Sequence, residues 1–174
     1  LEKINSNIEA EYAPDKRVIV YDIEFNINED NIIISGETSS ETAYQNLLDS
    51  LKILNIAFED DIRILPDATV GSNSFAVARN SVINIRSKPK HSAELGTQGL
   101  LGMPLKILDK KGDFYKVQTP DNYISWVDKG GITRMTKEEV DIWNNYKRII
   151  FTNTYGFVYA DKTKNSEIIS DITL

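Results

Sequence analysis

Catalysis by side chains needs a nucleophile, a base or a metal set, and the 174 residues are sparing with all three. There is no cysteine, so a thiolate nucleophile, a disulfide and a thiolate metal site are all ruled out for this chain. There is one histidine, His91, in the stretch KPKHSAEL. Without a second histidine it reads as a loop residue bonded locally or touching a ligand, not as a metal ligand. Neighbouring carboxylates occur at Glu59, Asp60 and Asp61, and again at Glu138 and Glu139. The first group belongs to a turn and the second to a helix cap, so neither reads as the opposed acid–base pair of a glycosidase. Gly99 and Gly102 lack a following Lys-Ser/Thr and make no phosphate loop. No cofactor is implied. What remains is recognition: Tyr115, Tyr123 and Trp126 beside Glu94, Gln98 and Asp121 offer aromatic faces next to polar groups, the makings of a peptide or sugar groove.

The elements that must position these residues lie between Arg79 and Val127. Val82, Ile83 and Ile85 form a short strand stopped at Lys88-Pro89. LKIL (105–108) and FYKV (114–117) form two more, joined by a turn centred on Lys111, Gly112 and Asp113, and YISWV (123–127) follows a Pro-Asp-Asn turn. With FAVAR (75–79), these short strands and their Gly/Pro joints predict a small β-barrel over 76–135. Strand alternation within it is expected to place Phe114, and one of Ile124 or Trp126, in the core. Tyr115 and Tyr123 would then be left exposed.

Around this barrel the chain divides by charge. Residues 1–75 hold 5 Lys/Arg against 15 Asp/Glu, and residues 76–174 hold 15 against 11, which indicates two units with different surfaces. No basic stripe is dense enough for nucleic acid. No run approaches the length of an apolar membrane span. Residues 1–66 read as α-β-β-α-β: a helix ended by Pro14, strands at VIVYDIEFNI and IIISGE around a turn at 28–31, a helix with Ala43, Leu47, Leu51 and Leu54 on one face, and a strand at DDIRIL. This α+β order loosely resembles a BON-type module. Residues 67–75 are a Gly/Ser/Asn linker. After the barrel, KGGITRM is expected as a loop or tight crossing. Thr136 to Glu139 is a capping box opening a connector helix over 136–147 that carries Val140 and Trp143. Strands are expected at RIIFTN and GFVYAD, with EIISDITL after a turn, over 148–174.

Several of these stretches carry a family likeness. Asn84-Ile85-Arg86-Ser87-x-Pro89, the DKKGDFYKV hairpin and the terminal Tyr-Ile-x-Trp-Val resemble a bacterial SH3-like (SH3b) domain. HSAEL, TQ-x-LLG-x-P and VQTPD-x-YISW are similar to the first SH3b domain of NlpC-type cell-wall cysteine peptidases. More narrowly, they resemble the dipeptidyl-peptidase VI type, the γ-D-glutamyl-L-diamino acid endopeptidases. YAPDKR, SGET and IRILPD resemble the region preceding that domain. Residues 148–174 resemble the opening of a second SH3b barrel, so a longer parent protein is expected.

The resemblance implies a non-catalytic region of a peptidoglycan-peptide hydrolase in the cell envelope, periplasmic or secreted. The Cys–His machinery would lie beyond Leu174. In that family the first SH3b domain helps shape the groove for a stem peptide of the L-Ala-γ-D-Glu-diamino acid type. Here that role would fall to Glu94, Gln98, Tyr115, Asp121, Tyr123 and Trp126. The alternative is a stand-alone SH3b module that binds cell wall or a protein partner.

Overall fold

A computed structural model describes residues 1–28 and 31–173 in two compact units. The first takes residues 1–68 together with 122–124, and the second takes 69–121 and 125–174. The two central residues of the turn expected at 28–31 lie outside the described residues.

In the first unit, α1 (Glu2–Tyr12) stops before Pro14. β1 (Tyr21–Ile27) and β2 (Ile32–Thr38) pair antiparallel with Tyr21 opposite Thr38. α2 (Glu41–Ile53) starts at Ser40, whose hydroxyl accepts the Ala43 N–H at 3.1 Å. β3 (Glu59–Ile64) then lies parallel to β2, an arrangement that requires a crossover such as α2. The apolar stripe of α2 buries Ala43, Leu47, Leu48 and Leu51 over Ile23 and Ile34. Leu54, expected on that stripe, lies one residue past the helix end and is 56% exposed.

The second unit is built on a seven-stranded sheet of β4 (Phe75–Ala78), β5 (Val82–Arg86), β6 (Leu95–Leu100), β7 (Pro104–Lys111), β8 (Phe114–Gln118), β9 (Ile124–Asp128) and β10 (Ile132–Met135). Their order is β10-β4-β7-β8-β9-β5-β6. Ile83, Ile85, Leu105, Ile107, Tyr115, Val117, Val127 and Ile132 form its core. The β7–β8 turn carries Gly112 at φ 58°, as its chemistry predicts, and Asn122 takes φ 68° in the turn before β9.

Two of these strands are absent from the sequence reading. LGTQGL has little β propensity, yet it forms β6 because Gly99 lies flat against its neighbours: a Cβ there would come within 3.0 Å of the Ile83 and Met103 side chains. KGGITRM, expected as a loop or tight crossing, instead delivers β10, which pairs with β4 through Ile132 opposite Ala78.

α3 (Lys137–Asn145) opens with the expected capping box, Thr136 and Glu139 each accepting the other's backbone N–H. It is held against the sheet unit by buried Val140 and by the Trp143 indole N–H, which donates to the Gly102 carbonyl at 3.2 Å. Beyond it, RIIFTN is not a strand: Ile149 and Ile150 are 98% and 81% exposed, with no ladder partner among the described residues. β11 (Tyr155–Tyr159) and β12 (Ile168–Thr173) form a two-stranded sheet, linked to the loop before β5 by the Ser81 hydroxyl donating to Asp171 at 2.8 Å.

Candidate functional site

β5 is the axis of the site. Ile83 and Ile85 point into the core, so strand alternation turns Val82, Asn84 and Arg86 to the outer face, with Asn80 continuing the row. On β9 the same rule buries Ser125 and Val127 and leaves Trp126 and Asp128 half-exposed on the outside. Arg86 lies opposite Trp126, and Asn84 lies opposite Gln98 of β6. The adjoining groove, about 320 Å³, is lined by Asn84, Arg86, Phe114 and Asp128 together with His91 and Gly131.

Local bonds fix most of these groups. The Gln98 amide donates to Asn84 Oδ1 at 2.9 Å, and Arg86 Nη1 donates to the Ala93 carbonyl at 2.8 Å. The Ser125 hydroxyl donates to the Arg86 carbonyl, and the Lys116 ammonium sits 5.2 Å from the Trp126 ring centroid. Asp128 Oδ1 accepts the Gly130 N–H at 2.7 Å, while its Oδ2 is 3.6 Å from His91 Nε2, longer than a hydrogen bond. His91 covers the Phe114 ring at 5.0 Å between centroids. At the edge of this cluster, the hydrogen bond from Lys129 to Asp113 at 2.8 Å lowers the aspartate pKa and raises that of the lysine. Among the described residues, no group of three His, Asp or Glu side chains is gathered closely enough to hold a metal.

The residues expected from sequence separate into four sets. Gln98 and Trp126 stand on one outer face, bridged by Asn84 and Arg86. Glu94 and Asp121 are exposed. The Glu94 carbonyl accepts the Ser87 N–H at 3.0 Å and closes the loop before β6, and Asp121 accepts the Thr119 hydroxyl. Tyr123 is half-buried and groups with the first unit.

Tyr115 is the correction. It is 7% exposed and part of the core, so it is not an outward contact. On β8 the inward phase runs Tyr115–Val117, one residue out of step with the expected one. Phe114 is buried to the same 7%, as expected, but outside the cluster that holds Tyr115: it lies beneath His91 at the floor of the groove. The Tyr115 ring is covered by the Arg134 guanidinium at 5.2 Å. On β9, likewise, Ser125 and Val127 take the inward positions in place of Ile124 or Trp126.

Asn84, Arg86 and Asp128 were missed, although the signal was present. Once Ile83 and Ile85 are read as inward, their neighbours must face out together.

No curated protein matches the chain. Residues 85–132, from near the end of β5 to the start of β10, match the family model of the bacterial dipeptidyl-peptidase SH3 domain, a match that supports an SH3b domain over this stretch.

Proposed function

We propose that this chain is the non-catalytic part of a peptidoglycan-peptide hydrolase, holding murein stem peptide for a cysteine peptidase domain of the same parent protein in the cell envelope. The observation that carries the reading is the match of residues 85–132 to a dipeptidyl-peptidase SH3 domain, in a chain that has no cysteine to do the cutting itself. The outer face of β9, β5 and β6 supports it with an aromatic ring, a guanidinium and two amides in a row, groups suited to a short polar peptide. The first unit, with its α-β-β-α-β order, is read as a BON-like packing module. β11 and β12 are read as the first strands of a second SH3b domain.

The test is a titration of the isotope-labelled chain with L-Ala-γ-D-Glu-diamino acid peptide, followed by amide chemical shifts. Shifts in β5, β6 and β9 without cleavage of the peptide are expected. Cleavage would overturn the non-catalytic assignment, and an unperturbed spectrum would overturn the peptide-holding role. Tyr123→Ala decides whether Tyr123 belongs to the site, since equal binding removes it.

A further inference from the structure

The arginines of the chain differ in how their charge is met. Arg17 is paired with Asp15, Arg63 with Glu37 and Asp67, and Arg134 lies on the Val70 and Asn73 carbonyls. Arg86 is half-buried in the groove wall, and among the described residues its guanidinium has a single side-chain bond, to the Ala93 carbonyl, and no carboxylate partner. That one bond uses Nη1 and orients the planar fork, leaving its other N–H donors available for an acceptor. A partly desolvated cation without a counter-charge is costly, and an incoming anion relieves that cost.

The rest of the groove narrows the kind of anion. Two residues back along β5, roughly 7 Å away, Asn84 has its amide oxygen occupied by Gln98, and among the described residues its NH₂ makes no hydrogen bond. Asn80 extends the row. Asp128 has one oxygen engaged by the Gly130 N–H and the other without a hydrogen bond. A phosphate or polyanion would be repelled by that carboxylate. A short peptide bears a carboxylate for Arg86, carbonyls for the asparagine amides, and N–H or ammonium donors for Asp128. A run of three or four extended residues matches the length of the strand.

We infer that the outer face of β5 is a receptor for the carboxylate of a short extended peptide, with Arg86 as the carboxylate-binding residue and Asn84, Asn80 and Asp128 as the groups that hold its backbone. The inference deepens the peptide-holding reading above and rests on it for the kind of ligand, but it does not require the peptide to come from murein.

The experiment titrates the labelled chain with trialanine and with trialanine amide, reading amide shifts at 80–86 and 128–131. The free acid binds at about millimolar affinity and the amide at least about tenfold more weakly. Arg86→Gln abolishes the preference for the acid. Asn80→Asp, at an exposed loop position that leaves the core intact, weakens the acid more than the amide. Equal binding of acid and amide by the unsubstituted chain overturns the inference, as does a preference that survives in Arg86→Gln, or inorganic phosphate binding more tightly than the peptide. If trialanine binds with this preference while the γ-linked murein peptide leaves the spectrum unchanged, the murein assignment fails and the carboxylate receptor stands. If the murein peptide shifts only residues outside the groove and trialanine shifts none, the receptor fails and the murein assignment stands.

Discussion

Gly36 is the position at which the first unit is most exposed to a single methyl group. It lies in the middle of β2, opposite Ile23 of β1 and beside Ile62 of β3, at φ 127°. An added Cβ would stand 1.9 Å from the Asp22 carbonyl oxygen and 3.1 Å from the Ile23 Cα. Ordinary carbon–oxygen contact begins at about 3.3 Å, so β1 would have to retreat by more than about 1 Å across its own ladder. The φ value adds about 1–3 kcal/mol for a residue with a side chain, and the overpacking a similar amount. Loosened ladder hydrogen bonds contribute about 1 kcal/mol each.

Gly36→Ala is therefore expected to cost about 3–5 kcal/mol. A unit of this size has about 3–10 kcal/mol in all, so the substitution removes most of its stability. Hydrogen exchange resolved to residues 21–38 is the assay, because both tryptophans, Trp126 and Trp143, report on the second unit. Gly112→Ala, read by hydrogen exchange in β7 and β8 of the second unit, is the comparison. It shares the positive φ at 58° but meets nothing within 4 Å, so only the backbone term of about 1–2 kcal/mol applies. If the two variants lose the same stability, close approach of β1 to Gly36 is not what requires the glycine, and the reasoning fails.

In alkali the first unit should weaken as its buried and hydrogen-bonded tyrosines ionise. Burial pushes the Tyr21 hydroxyl, which donates to Asn5 Oδ1 at 2.7 Å, up to about 12, and the hydrogen bond to Asp60 at 2.6 Å does the same for Tyr44. Both native values are raised, so their stabilisation is complete below the unfolded value near 10 and is lost between about pH 10 and 12. Urea midpoints at either end of that window check this, and Tyr21→Phe should flatten the slope. Trp143→Phe keeps the packing of α3 but leaves the Gly102 carbonyl without the indole N–H, at about 1 kcal/mol, read as a lower melting temperature of the second unit. Tyr115→Ala should cost that unit about 3–5 kcal/mol in urea unfolding, whereas an outward ligand contact at this position would leave stability unchanged.

Local chemistry made most of the fold legible before any coordinates. The 43–47–51 stripe, the glycine turn at 112 and the Thr136–Glu139 box each depend on residues close in sequence, and each stands where it was read. The strands that were missed depend on partners far away. LGTQGL becomes β6 only because β5 is beside it, and ITRM becomes β10 only because β4 offers Ala76 and Ala78. RIIFTN fails in the opposite sense: it has strand composition but nothing among the described residues to pair with, and composition alone does not extend a chain.

The candidate site shows how little separates a core residue from a contact residue. Phe114 and Tyr115 are adjacent aromatics at a strand start and both are buried, but only Tyr115 shares its phase with the core residue Val117. That phase is set across the sheet. The bulge in β7 between Ile107 and Asp109 shifts the pairing so that Lys110 meets Tyr115 and Lys111 meets Phe114. That one-residue offset sends the tyrosine beneath Arg134 and leaves the phenylalanine at the groove with His91. On β5 there is no such ambiguity, since polar and apolar residues alternate from Ile83 to Arg86 and only one phase buries both isoleucines. The proposed recognition surface is therefore read from the strand with the cleanest alternation, β5, and not from the stretch richest in aromatic rings.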